Sequence, residues 1–214
     1  VWNASHSLRS RSLLSRALAA AVAIVSATSI ALLAASTVAF PLVDGLHGVG
    51  GIEGLIFWIA LTTAATMFPI QVGRGPAVSV FIAPLIASAL LGGLTIAAVV
   101  ALLGTTDLRE LRREVPWYGT VYNHASAAAG AVLAGAAYVW LCNSEPPSGV
   151  GTLIGAIVAG LIYFAAGEVL SALAVSVRHG RGFLDVLVGD LRAYGLSLLG
   201  LVPLAWLMAL AFEN

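Results

Sequence analysis

Residues 77–104 read AVSVFIAPLIASALLGGLTIAAVVALLG, a 28-residue apolar segment interrupted by the helix breakers Pro84 and Gly92-Gly93. Whether it crosses a membrane once or turns back decides the sidedness of everything after it. Basic residues in short loops stay on the cytoplasmic side. Arg9, Arg11 and Arg16 then place the N-terminus inside, the loop with Asp44, His47 and Glu53 outside, and Arg74 inside again. A single crossing would leave Arg109, Arg112, Arg113, Arg178, Arg181 and Arg192 outside, six of the ten arginines. A hairpin bent at Gly92-Gly93 puts all ten inside, while the outer loops carry Asp44, Glu53 and Glu145 and no arginine. The segment is therefore expected to be a hairpin. Its arms of about 15 and 11 residues barely reach across at about 1.5 Å per residue, so re-entrant and doubly spanning forms both fit.

Composition sets the class around that hairpin. The chain is 60% hydrophobic and 9% charged, with mean hydropathy +0.99, which implies an integral membrane protein. Runs near 17–40, 52–69, 120–141, 150–177 and 193–212 are long enough for a helix to span a core of about 30 Å. The expected fold is an all-α polytopic membrane helix bundle of five long spans plus the hairpin. Its N-terminal tail is 1–16 and its single membrane domain 17–214, expected to stop one span short because the last apolar run would end outside. The segment 17–40 is too long for a signal-peptide core and reads as a retained span.

Every basic residue is arginine, which excludes a Walker A lysine and a lysine Schiff base. Cys142 is the single cysteine, so an internal disulfide or cysteine-based metal cluster is excluded. A net charge of zero gives no electrostatic footprint for nucleic acid. No nucleophile with base and orienter stands out, so the chain reads as a non-enzyme with no cofactor and no metal site.

Polar residues inside apolar runs are the functional candidates, because each costs energy unless paired. Glu168 lies about nine residues, some 13 Å, from the inner end of its run; a ligand or proton site and a packing hydrogen bond both explain it. Tyr122, Asn123 and His124 follow the turn in REVPWYGTVYNHAS, residues 113–126. They read as a helix-entry anchor with a polar contact below the surface, and His124, lacking a second histidine one turn away, as a hydrogen-bonded or snorkelling residue rather than a ligand to metal. Trp117 and Tyr118 at one end of that run and Trp140 at the other form interfacial anchors. Small-residue stripes at Ser126, Gly130, Ala134 and at Gly151, Gly155, Ala159 invite close helix approach. The glycine-rich stretches 45–54 and 72–76 lack a strand-then-helix setting and read as flexible loops. The charged DLRELRREVP turn reads as a solvated face.

From Phe68 onward the chain resembles the N-terminal membrane domain that precedes HD-GYP phosphohydrolase and GGDEF diguanylate cyclase modules in bacterial signalling proteins. The motifs are FPI at 68–70, ALLGT closing the hairpin, the arginine turn into PWYGTVYN, AVSVRHGRGF at 174–183, and the proline-bearing LLGLVPLAWLMAL. The resemblance implies a sensory or anchoring input domain in the bacterial inner membrane, N-terminus cytoplasmic. Its implied partners are the lipid bilayer, a cytoplasmic output module in the same polypeptide, a second copy as homodimer, and a small-molecule ligand. The family's Pro-Trp-Tyr and aromatic-Asn positions fall on Pro116, Trp117, Tyr118, Tyr122 and Asn123; where it often has asparagine in the span corresponding to 150–177, this chain has Glu168. The architecture is also similar to the substrate-binding subunits of energy-coupling-factor vitamin transporters, which implies the alternative of a small-molecule uptake subunit.

Overall fold

The computed structural model describes residues 2–71, 77–78 and 80–213, with the backbone alone at 2–15, 70–71, 77–78, 194 and 196–199. Arg74 and its loop at 72–76 lie outside the described residues, as do the side chains of Arg9 and Arg11. The helices are α1 Trp2–Ala39, α2 Leu42–Gly48, α3 Gly51–Met67, α4 Ile82–Gly104, α5 Leu108–Leu111, α6 Trp117–Cys142, α7 Val150–His179 and α8 Phe183–Glu213. A two-residue antiparallel ladder, β1 Ile70–Gln71 with β2 Ala77–Val78, precedes α4 and shortens the expected first arm of the hairpin. Helix runs from Trp2, so the expected tail is a helical extension of the first span.

Among the described residues four helices carry stretches long and apolar enough to cross a membrane: Arg16–Ala39, Ile82–Gly104, Trp117–Cys142 and Val150–His179. Helices α2 and α3 make a fifth such segment, bent by 78° at their junction, and Gly200–Glu213 is a shorter apolar helix. The protein is an all-α helix bundle of membrane type.

By length Ile82–Gly104 could be one crossing, but its geometry is that of a hairpin. Gly93 has φ 69° and ψ −166°, a conformation essentially reserved for glycine, and it breaks the helix into two arms. Phe81 before the first arm and Thr105 after the second line one cavity together with Arg109 and Arg112. The bend lies at the opposite end, where a Cβ on Gly93 would stand 2.6 Å from the Phe40 ring and Thr95 Oγ1 donates to the Phe40 carbonyl at 2.6 Å. Each arm of 11 residues is about 16 Å long, roughly half of a 30 Å core, the dimension of a re-entrant hairpin.

This hairpin is the centre of the molecule. Within its most apolar window 83% of residues are buried, against 11% in the window of α1, whose flank faces outward. Leu85, Ile86, Ile96, Ala97 and Val100 are fully enclosed. Small residues let the other helices reach it: a Cβ on Gly135 of α6 would meet the Leu94 Cα at 2.6 Å. Of the first stripe, Gly130 packs on the Tyr163 ring of α7 and Ala134 is fully buried. In the second, Gly155 and Ala159 are buried, whereas Gly151 faces open space.

The stretch 45–54 is a correction to the loop expected there. It forms the end of α2 and the start of α3, with only Val49 and Gly50 between them. Val49 is buried, Gly50 and Gly51 take φ of 78° and 81°, and Gly45 and Gly48 press against the backbone of Leu91 and Gly92. These glycines let a bent segment fold over the tip of the hairpin.

Candidate functional site

The site begins with the turn between α4 and α6. Asp107 caps α5: its Oδ1 accepts the Arg109 N–H at 2.8 Å, and its own N–H reaches Glu110 Oε2 at 3.4 Å, the reciprocal pattern of a capping box. Asp107 Oδ2 also receives the Arg109 guanidinium through Nε at 2.8 Å and Nη2 at 2.6 Å. Burial pushes the Asp107 carboxyl up, but the hydrogen bonds and charge of Arg109 together outweigh it and hold it below its ordinary 3.8. With the backbone pinned there, the Glu110 side chain turns inward.

Glu110 is the centre of the cluster and corrects the expectation of a wholly solvated turn. Its side chain is 5% exposed. Asn123 Nδ2 donates to Oε1 at 3.2 Å, and Oε2 stands 3.0 Å from His124 Nε2. On the other ring edge, Nδ1 lies 2.6 Å from the Leu102 carbonyl and 3.5 Å from Thr105 Oγ1. Leu102 belongs to the last turn of α4, whose carbonyls have no intrahelical donor. His124 therefore caps the second arm of the hairpin and binds the turn, joining α4, the turn and α6 through one ring.

A carbonyl only accepts, so His124 Nδ1 carries a hydrogen. The 3.0 Å contact between Nε2 and Oε2 needs a hydrogen as well. The pair therefore holds one proton between ring and carboxylate, as imidazolium with carboxylate or as neutral ring with carboxylic acid.

Two cavities flank the cluster. The more polar one, about 720 Å³, is lined by Arg109, Glu110, Arg112 and Asn123 together with the apolar Met67, Phe81 and Leu108. An apolar one of about 260 Å³ on the other side reaches Ser26, Ser29, Leu102 and His124. Ser29 ties α1 to this level by donating to the Ala125 carbonyl at 2.6 Å.

The structure brings Asn123 and His124 together on Glu110, puts Tyr122 with Asn123 along a second cavity that faces α7, and sets Glu168 apart from the cluster. Tyr122 is buried, and its hydroxyl donates to the Leu170 carbonyl of α7 at 2.6 Å, a polar contact that ties α6 to α7. Glu168 is half-buried on α7, with no hydrogen bond or ion pair among the described residues, and the charge it faces is Asp190 on α8. Trp117 and Trp140 are exposed at opposite ends of α6, the placement expected of anchors; Tyr118 lies edge-on to Trp117 at 6.0 Å. Among the described residues no group of three or more His, Cys, Asp or Glu side chains could hold a metal ion. Glu110 was the residue missed from sequence; its one signal is Asp107-x-x-Glu110, the spacing of a capping box.

Comparison of the chain with protein-family models, with curated proteins and with solved structures finds no match in any of the three.

Proposed function

We propose that this chain is the membrane-embedded input domain of a bacterial signalling protein, seated in the inner membrane with its N-terminus cytoplasmic. It passes the state of a site at the arginine turn to a cytoplasmic cyclic-dinucleotide phosphohydrolase or cyclase module. The observation that supports it is the single carboxylate of Glu110, which fastens the turn to α4 and α6 beside the more polar, 720 Å³ cavity. A ligand that competes for Glu110 or Asn123 would loosen the turn, and the helices would carry that change along the bundle. The resemblance of the arginine turn and PWYGTVYN to the membrane domains ahead of HD-GYP and GGDEF modules supports the same reading.

The transporter alternative calls for a pocket near the outer face. At that end α2 packs on the hairpin tip and Val49 is buried, which favours the input domain. Reading the gene beyond Asn214 tests the proposal. A further span followed by HD-GYP or GGDEF residues is expected; a stop codon beside a transporter ATPase gene would overturn it.

A further inference from the structure

We propose that His124 and Glu110 form a proton-binding site that latches the arginine turn to the hairpin, releasing the turn when the shared proton is lost. This deepens the input-domain proposal by naming the proton as a ligand of the same site. It rests on geometry: Nδ1–H is committed to the Leu102 carbonyl, and the Nε2 to Oε2 contact closes only with a proton in it. When base removes that proton to bulk water, a ring lone pair faces a carboxylate oxygen at 3.0 Å, and contact becomes repulsion. The Leu102 bond survives because Nδ1 keeps its hydrogen, so the ring stays on α4, while Glu110 is left with the 3.2 Å bond from Asn123 as its remaining tie to α6 and the turn loosens.

The surroundings suit a two-state latch. The pair lies seven residues beyond Trp117, about 10 Å along α6, yet the more polar cavity opens beside Glu110 and Asn123 and gives the proton a route. Among the described residues the facing charged groups belong to the turn: Asp107 and Arg109 neutralise one another, Arg112 lines the cavity, and Glu114 acts on Arg109. Of the described side chains, α1 brings the hydroxyls Ser26 and Ser29, α3 Thr66, α4 Thr105, and α6 the Asn123 amide. With no second base turned on the ring among the described residues, the proton has one acceptor pair to occupy.

The test uses the full chain in lipid nanodiscs with His6→Gln, His47→Gln and His179→Gln, which leaves His124 as the sole histidine. Ring-nitrogen NMR should show Nδ1 protonated at neutral pH; a bare Nδ1 would overturn the proposal. As pH rises, loss of the second proton should coincide with amide exchange at residues 108–114 rising about ten- to hundredfold beyond the intrinsic chemical rate. Glu110→Gln should abolish that excess; an equal excess in the variant would overturn the latch. The histidine-only chain decides alone if the variant does not fold: a ring that titrates with no change at 108–114 also refutes it. None of these readouts involves an output module, so the latch and the input-domain proposal fail separately.

Discussion

His124 has two obligations, to the Leu102 carbonyl and to Glu110, and removing it orphans both. A buried group left without its hydrogen-bond partner costs about 1–3 kcal/mol, more where it is charged. His124→Ala should therefore lower unfolding free energy by that order in mixed micelles. His124→Ala with Glu110→Ala should cost less than the sum of the single changes, since neither variant partner is then left facing an empty place in the pair; strict additivity would show that the pair does not interact. Glu168 presents the opposite case. It has no described partner and faces a like charge at Asp190, so Glu168→Leu should hold or raise the thermal midpoint. A drop of several degrees in Leu but not Gln would reveal a hydrogen-bond partner. Sequence marks Glu168 because its depth in an apolar run is visible there. It does not mark Glu110, because 14 residues and a reversal of the chain separate it from His124, and only the depth of the folded turn brings them together.

The hairpin and the turn after it are the elements that build the site. Gly93 sits where a side chain is strained by about 1–3 kcal/mol from backbone conformation alone, and a Cβ there also meets the Phe40 ring at 2.6 Å. Gly93→Ala should lower stability by at least that amount and raise amide exchange in residues 90–97, where the tip meets Phe40 and α2; a neutral effect would mean that the tip relaxes freely. In the turn, Asp107 has a folded carboxyl value below its ordinary 3.8. Its contribution is complete above the unfolded value and is lost as pH falls through the lower folded one. Protection of the amides in Leu108–Leu111 should accordingly fade on that acid limb, and Asp107→Asn should remove the dependence. The hairpin was legible because breakers and arginines converge on it, two independent signals. The helices at 45–54 were not, since glycines that permit close backbone packing look the same in sequence as glycines that permit flexibility.

At the scale of the whole molecule, the bundle has two unlike ends. Leu18 of α1, Tyr118 of α6 and Arg178 of α7 line one cavity, so the ends of those helices nearest Arg16, the arginine turn and Arg178 converge. Phe40, α2 and the bend at Gly93 gather at the other. This polarity arises only if residues 77–104 turn back, because a straight crossing would carry the arginine turn to the far end. Sequence supplied the polarity through charge; it could not supply the depth of the re-entrant arms, which depends on how far α2 folds over the tip. Single-cysteine accessibility turns the polarity into a measurement. With buried Cys142 replaced by Ser as background, Leu111→Cys probes the arginine turn at an exposed side chain outside the Glu110 cluster, and Glu145→Cys probes the exposed α6–α7 connection. In intact cells an impermeant maleimide should label the cysteine at 145 and spare that at 111, which should react only once the membrane is opened. A third probe, Ser7→Cys, fixes the reference side: label at 111 but at neither 145 nor 7 would refute the hairpin, since an odd number of crossings would then separate the arginine turn from the N-terminus, whereas label at 7 and 111 but not 145 would keep the hairpin and invert the whole bundle.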